Sequence, residues 1–135
     1  MEPGRPAHSL DVPAAQAALG RAYAGLAERH DDETMLQESI TLLESALDAG
    51  SRALSATETA VVEQALGTAL WSLGERRASA RLLEDAARAK LNALELLETA
   101  GDTAAANRLR EDLDDLGEAI ARLAEGGART SKRAS

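Results

Sequence analysis

Apolar residues of this chain return every three or four positions, not every second one. Leu66, Ala69, Leu70 and Leu73 show the spacing i, i+3, i+4, i+7 that lays one buried stripe along a helix. Extended over the chain, the pattern predicts five helices, at 12–29, 35–49, 56–73, 77–99 and 103–125, and no strand. The punctuation agrees. Asp11 is placed to cap the first helix, with Pro13 in its first turn, where a missing N–H costs little. His30-Asp31-Asp32-Glu33 interrupts the pattern. Thr34 with Gln37, and Ser55 with Glu58, have the spacing of capping boxes that open the second and third helices. Gly50, Gly74 and Gly101 are read as helix stops, Asp102 or Thr103 as the last N-cap, and Gly126-Gly127 as the final break. The domain organisation that follows is a flexible N-terminal arm at 1–10, a helical domain at 11–125 and a disordered basic tail at 126–135.

Within the helical domain one ten-residue pattern recurs, Leu-Gly-any-Ala-large-any-any-Leu-small-Glu. It starts at Leu19, Leu66 and Leu116, in steps of 47 and then 50 residues. The intervening helices align too. Leu36, Glu38, Ser39, Ala46 and Leu47 match Leu83, Asp85, Ala86, Ala93 and Leu94 without a gap at the 47-residue step. The repeated unit is a helical hairpin, A then B, and the chain carries A-B, A-B and a last A. Such a period marks a stacked array. Gly20, Gly67 and Gly117 carry no side chain beside the apolar stripe, so each is expected to let another helix approach.

These residues resemble the tetratricopeptide repeat, in a long-period bacterial form, over residues 14–125. Leu19, Gly20 and Tyr23 match its helix-A signature, as do Leu66, Gly67 and Leu70, with Leu in place of Tyr. In helix B the small position is met by Ser39 and Ser79, the bulky one by Leu43 and Leu83, and the next small one by Ala46 and Ala86. The period exceeds the usual 34 residues, helix B lacks a terminal Pro, and its bulky position is not aromatic. The resemblance implies an all-α fold of tetratricopeptide-like stacked hairpins, an alpha-alpha superhelix of about five helices. It also implies an inner, concave side lined by Arg21 and Ala24, by Thr68 and Trp71, and by Glu118 and Ala121. Gln64 and Arg122 fall beside them. Arg21, Gln64, Thr68, Trp71, Glu118 and Arg122 are therefore the candidate partner-binding residues. Trp71 lies about 140° around the helix from Leu66, away from the apolar stripe. A lone Trp among small and polar neighbours is the kind of anchor that dominates a binding patch; packing against a neighbouring unit is the alternative.

Composition narrows the chemistry. Ala and Leu supply 51 of the 135 residues, Phe and Cys are absent, and Trp and Tyr occur once each. Without Cys there is neither disulfide nor thiolate metal site. From Asp11 to Glu125 there are 22 acids against 11 Lys and Arg, whereas the last ten residues carry three basic groups and no acid. An acidic body argues against nucleic acid and anionic membranes as partners. No stretch approaches a membrane span and no secretory signal is evident, so a soluble, cytoplasmic protein is expected. The two histidines, His8 and His30, converge with no nucleophile, and no Glu-x-x-His pair or phosphate loop occurs. His30-Asp31-Asp32-Glu33 reads as a polar turn more readily than as metal ligands. The acids Glu111, Asp112, Asp114, Asp115 and Glu118 and the basic group Arg76, Arg77 and Arg81 read as solvated faces. The expectation is a non-catalytic adaptor or scaffold without cofactor or metal, presenting a groove to a protein or peptide partner. The alternative is a structural subunit that self-associates through its last helix into a homo-oligomer, since Leu109, Leu113, Leu116, Ile120 and Leu123 exceed what one neighbouring helix covers.

Overall fold

A computed structural model describes the backbone of residues 4–49 and 54–134, and the side chains of 12–48 and 54–126. It contains α1 (Gly4–His30), α2 (Glu33–Ala49), α3 (Ala56–Arg77), α4 (Ala80–Ala100) and α5 (Thr103–Ala134), with no strand among the described residues. α1 packs on α2 and α3 on α4 as two hairpins. α2 lies against α3, α5 against α4, and α1 touches α3 along one edge. The protein is thus an all-α stack of helical hairpins.

The two hairpins are the same object built twice, 47 residues apart, and their turns show why. α1 ends at Asp31 in left-handed conformation (φ 54°), and α3 ends at Ala78 in the same conformation (φ 50°). One residue on, Asp32 N–H donates to the Ala27 carbonyl at 3.1 Å, and Ser79 N–H donates to the Gly74 carbonyl at 2.9 Å. The same two residues then cap the following helices. Met35 N–H donates to Asp32 Oδ1 and Leu82 N–H donates to Ser79 Oγ, each at 3.2 Å. A left-handed residue followed at once by an N-cap reverses the chain in two residues and satisfies helix-end groups on both sides. The entry to α3 is the predicted capping box, Ser55 with Glu58, and at the same step Asp102 accepts from Ala105 N–H to open α5.

Several sequence expectations are corrected by these geometries. The cap of α2 is Asp32, because its carboxylate reaches the Met35 N–H; Thr34 lies inside the helix. Gly74 does not end α3. It lies within the helix, buried, where an added Cβ would meet Leu83 Cδ2 at 2.8 Å, so its missing side chain serves close approach and not a turn. α1 begins at Gly4, which puts Asp11 inside the helix, and α5 runs through Gly126-Gly127 to Ala134. The predicted stop at Gly50 lies outside the described residues.

The third copy of the motif is also shifted. The caps fix a constant step of 47 from Ser55 to Asp102, so Leu66 corresponds to Leu113 and Gly67 to Asp114. The sequence match at Leu116 is a slip of three residues, just under one helical turn, which similar Ala/Leu-rich surfaces permit. Gly117 accordingly does not share the role of Gly20 and Gly67. A Cβ on Gly20 would stand 2.9 Å from Leu43 Cγ and one on Gly67 2.6 Å from Lys90 Cγ, but one on Gly117 would meet nothing within 4 Å. Likewise Ser79 is a cap, so the residue answering to Ser39 is Ala86, and the one answering to Leu43 is Lys90.

The core follows the stacking. Leu36, Leu43, Leu66, Leu70, Leu83 and Leu116 anchor one cluster drawn from all five helices, and Ala60, Leu94, Leu97, Ala105, Ala106 and Leu109 close a smaller one where α5 crosses α4. Leu19, the counterpart of Leu66, is 46% exposed against 7%, because among the described residues no helix lies outside α1 as α2 lies outside α3.

Candidate functional site

Along the line where α1 meets α3, their side chains leave a trough. Its larger part is a hollow of about 320 Å³ lined by Arg21, Ala24, Gly25, Glu28, Val61, Gln64, Ala65 and Thr68. A second hollow of about 160 Å³ shares Arg21 and Val61 with it and continues between Ala14, Ala17 and Ala18 of α1 and Leu54, Thr57 and Val62. The residues on α1 are spaced three and four apart, so one face of the helix supplies them, and small Ala and Gly leave the space. Arg21, Glu28, Gln64 and Thr68 bring charge and hydrogen-bonding groups to an otherwise apolar trough.

Behind the trough lies a polar cluster that ties three helices together. Thr68 Oγ1 donates to the Gln64 carbonyl at 3.1 Å and accepts from Lys90 Nζ at 3.1 Å. Lys90 Nζ also donates to Asp112 Oδ2 at 2.9 Å. Its side chain is 1% exposed, among the most buried in the molecule, and its ammonium stands 5.7 Å from the centroid of the Trp71 ring. A buried ammonium requires a counter-charge and hydrogen-bond acceptors. Asp112, Thr68 and the face of Trp71 supply them, from α5 and α3. The α1/α3 trough and the docking of α5 therefore share one residue, Thr68.

Of the candidate residues read from sequence, Arg21, Gln64 and Thr68 come together in the trough. Trp71 does not line it: its half-buried ring packs against the main core and under Lys90, and its Nε1 is buried without a partner. Glu118 and Arg122 are exposed on α5 and line none of the three hollows. Lys90 and Asp112 were not among the candidates. The signal for Lys90 was present, since it interrupts an apolar stripe of Leu83, Ala86, Ala93, Leu94 and Leu97 and falls opposite Leu43 in the repeat. The charged clusters are partly spent within the fold. Arg76 pairs with Asp31 and Arg77 with Glu33, clamping the α1–α2 turn to the end of α3, and Arg110 pairs with Glu98. No group of three or more potential metal ligands occurs among the described residues.

A third hollow, about 390 Å³, opens on the far side of α1 between Leu19, Tyr23, Thr34, Gln37, Glu38, Thr41 and Leu42. Its apolar members correspond at the 47-residue step to Leu66, Leu70 and Ala89, all buried. This is the outer end of the stack.

No helix among the described residues is long and apolar enough to cross a membrane. No protein-family model matches the chain, and no curated protein or solved structure does either.

Proposed function

We propose that this protein is a non-catalytic interaction module, an adaptor or scaffold subunit of tetratricopeptide-like type, that holds a peptide or protein segment in the α1/α3 trough. The observation that carries the reading is the meeting of Arg21, Glu28, Gln64 and Thr68 across two successive A helices, above a floor of Ala24, Gly25 and Ala65. Apolar floor with a few fixed polar groups is the composition of a recognition groove. The two hollows in line suit an elongated segment better than a compact small molecule. The helices that form the walls are fixed by their own hairpins, so binding needs little rearrangement. The outer hollow at Leu19 and Tyr23 is apolar for a different reason, as the terminal face of a stacking unit.

The test is selection of peptides from a random library on the full-length protein, followed by titration against two groove variants. Ala24→Leu fills the floor, and Arg21→Glu reverses the wall charge. Selected peptides should bind the parent at micromolar Kd and lose tenfold or more with either variant. Peptides that bind both variants as well as the parent would refute the assignment of the trough.

A further inference from the structure

α5 carries a helix-binding face that the fold leaves open. At the 47-residue step, Ala27, Gly74 and Ala121 are equivalent positions on the three A helices. Ala27 is fully buried, and Gly74 is buried against Leu83 of its own B helix; Ala121 is exposed. The face around it contains Asp114, Gly117 and Ala124, all exposed, and no described atom lies within 4 Å of a Cβ placed on Gly117. Both other A helices use this side to receive a helix.

The sequence of α5 says which helix would fit. Gly117, Ala121, Ala124 and Ala128 are spaced four, three and four, so by helical period they share a face, and the order of steps reads the same from either end. Turned antiparallel to a copy of itself, the stripe meets itself, Gly117 opposite Ala128 and Ala121 opposite Ala124. Small residues in facing positions let two helix axes approach closely. The same register lays residues 111–118 along 127–134 of the other copy. The first stretch contains Glu111, Asp112, Asp114, Asp115 and Glu118 with no basic residue; the second contains Arg129, Lys132 and Arg133 with no acid. A parallel arrangement would set acid against acid. Steric and charge patterns thus select one partner and one direction. We infer that two copies of this chain associate through antiparallel α5 helices about a twofold axis between residues 122 and 123. Isologous pairing of this kind closes on itself and gives a dimer, not a fibre. The inference does not rest on the trough being a binding site.

Sedimentation equilibrium of the full-length protein over about three decades of concentration, up to about 1 mM, tests it. The mass should climb from 14.1 kDa towards twice that value, with the midpoint moving to higher concentration as salt is added. Gly117→Leu projects into open space in the single chain, so it should keep its circular dichroism and melting temperature while shifting dimerisation at least tenfold. Asp114→Lys should weaken association, and adding Lys132→Asp to the same chain should restore it. A mass fixed at 14.1 kDa throughout overturns the inference. So does a dimer indifferent to Gly117→Leu, or one abolished by Leu19→Glu, which would place the contact at the outer end of the stack. Failure of the Lys132→Asp rescue overturns the antiparallel register.

Discussion

Lys90 stands in the second hairpin where Leu43 stands in the first. Each side chain packs over the glycine of the facing A helix, Leu43 on Gly20 and Lys90 on Gly67. The substitution of a charge for an alkyl group is accommodated because the next A helix carries a carboxylate beside the second hairpin where it carries Ala65 beside the first: α5 brings Asp112 within 2.9 Å of the ammonium. The repeat therefore places the lysine, and the array's next helix satisfies it.

From this follow opposite outcomes for the two ends of the ion pair. Lys90→Leu restores the residue of the first hairpin, leaves Thr68 donating to Gln64, and leaves Asp112 free to meet water. It should raise stability by about 1–3 kcal/mol, the range seen when buried ion pairs give way to apolar groups. Asp112→Ala leaves the buried ammonium with a hydroxyl and a ring face. It should cost about 2–3 kcal/mol, below the full penalty for an orphaned buried charge because the Asp112 side chain is 36% exposed. Urea melts followed by Trp71 fluorescence measure both. Equal losses from the two variants would show that the pair contributes net stability, against this account.

Gly67 and Gly25 should respond with opposite sign to the same replacement by Ala. Gly67 faces Lys90 Cγ and the Ala86 carbonyl oxygen, 2.6 and 3.1 Å from an added Cβ, and neither is the free end of a flexible chain. Separating α3 from α4 to admit the methyl should cost about 1–3 kcal/mol. Gly25 meets nothing within 4 Å, so Gly25→Ala gains helix propensity, about 0.5–1 kcal/mol. Thermal melts of the two variants bracket the parent if the packing is as described, and fall on one side of it if not.

How far the sequence carried depended on whether a signal was local or relational. The helices themselves, the Ser55–Glu58 box and the stop at Gly101 were legible because apolar period, cap spacing and a glycine at φ 80° are each local. Gly74 misled for the opposite reason: a glycine that admits Leu83 looks, in sequence, like one that ends a helix. Thr34 has the spacing of a cap, but the oxygen that reaches a helical N–H is that of Asp32, which reads in sequence as part of the interrupting turn; only the backbone path decides this. The third motif was aligned on Leu and Gly types, whereas the fold repeats its caps. Of the candidate residues, Arg21, Gln64 and Thr68 were grouped by the resemblance, and they line one hollow because α1 and α3 run side by side. Trp71 depended on Lys90 beneath α5, a relation among three elements that no single helix encodes.

Glu63 should make stability fall as pH rises through its titration. Burial raises its pKa above the ordinary 4.5, partly opposed by the hydrogen bond that Asn92 Nδ2 donates to Oε2 at 2.9 Å. A carboxyl whose folded pKa is raised is favoured protonated in the folded state, so folding is penalised once both states are ionised and relieved as pH drops through the folded pKa. Glu63→Gln keeps an acceptor for Asn92 and removes the ionisation. It should stabilise the protein at pH 7, with the advantage shrinking as pH falls through that raised value and gone below about pH 4.5. Glu58 works the other way, because the Ser55 backbone N–H and hydroxyl lower its pKa, so its contribution is lost as pH falls through that lowered value. A Glu63→Gln advantage independent of pH would mean that ionisation is not its source.

The two left-handed turn residues are a last test of whether the hairpins repeat in energy as they do in shape. Ala78 holds φ 50° with a Cβ that crowds the backbone, and Asp31 holds φ 54° with a side chain of the type that tolerates this conformation better. Ala78→Gly should therefore raise stability by about 1 kcal/mol, the strain exceeding the entropy that glycine adds to the unfolded chain. Asp31→Gly relieves less strain and also removes the carboxylate paired with Arg76, an exposed contact of about 0–1 kcal/mol. Its net effect should be near zero or negative. Removing the contact beforehand with Arg76→Ala should turn Asp31→Gly towards the value of Ala78→Gly. If the double-mutant cycle shows no coupling between residues 31 and 76, the Asp31–Arg76 half of the clamp adds nothing to stability.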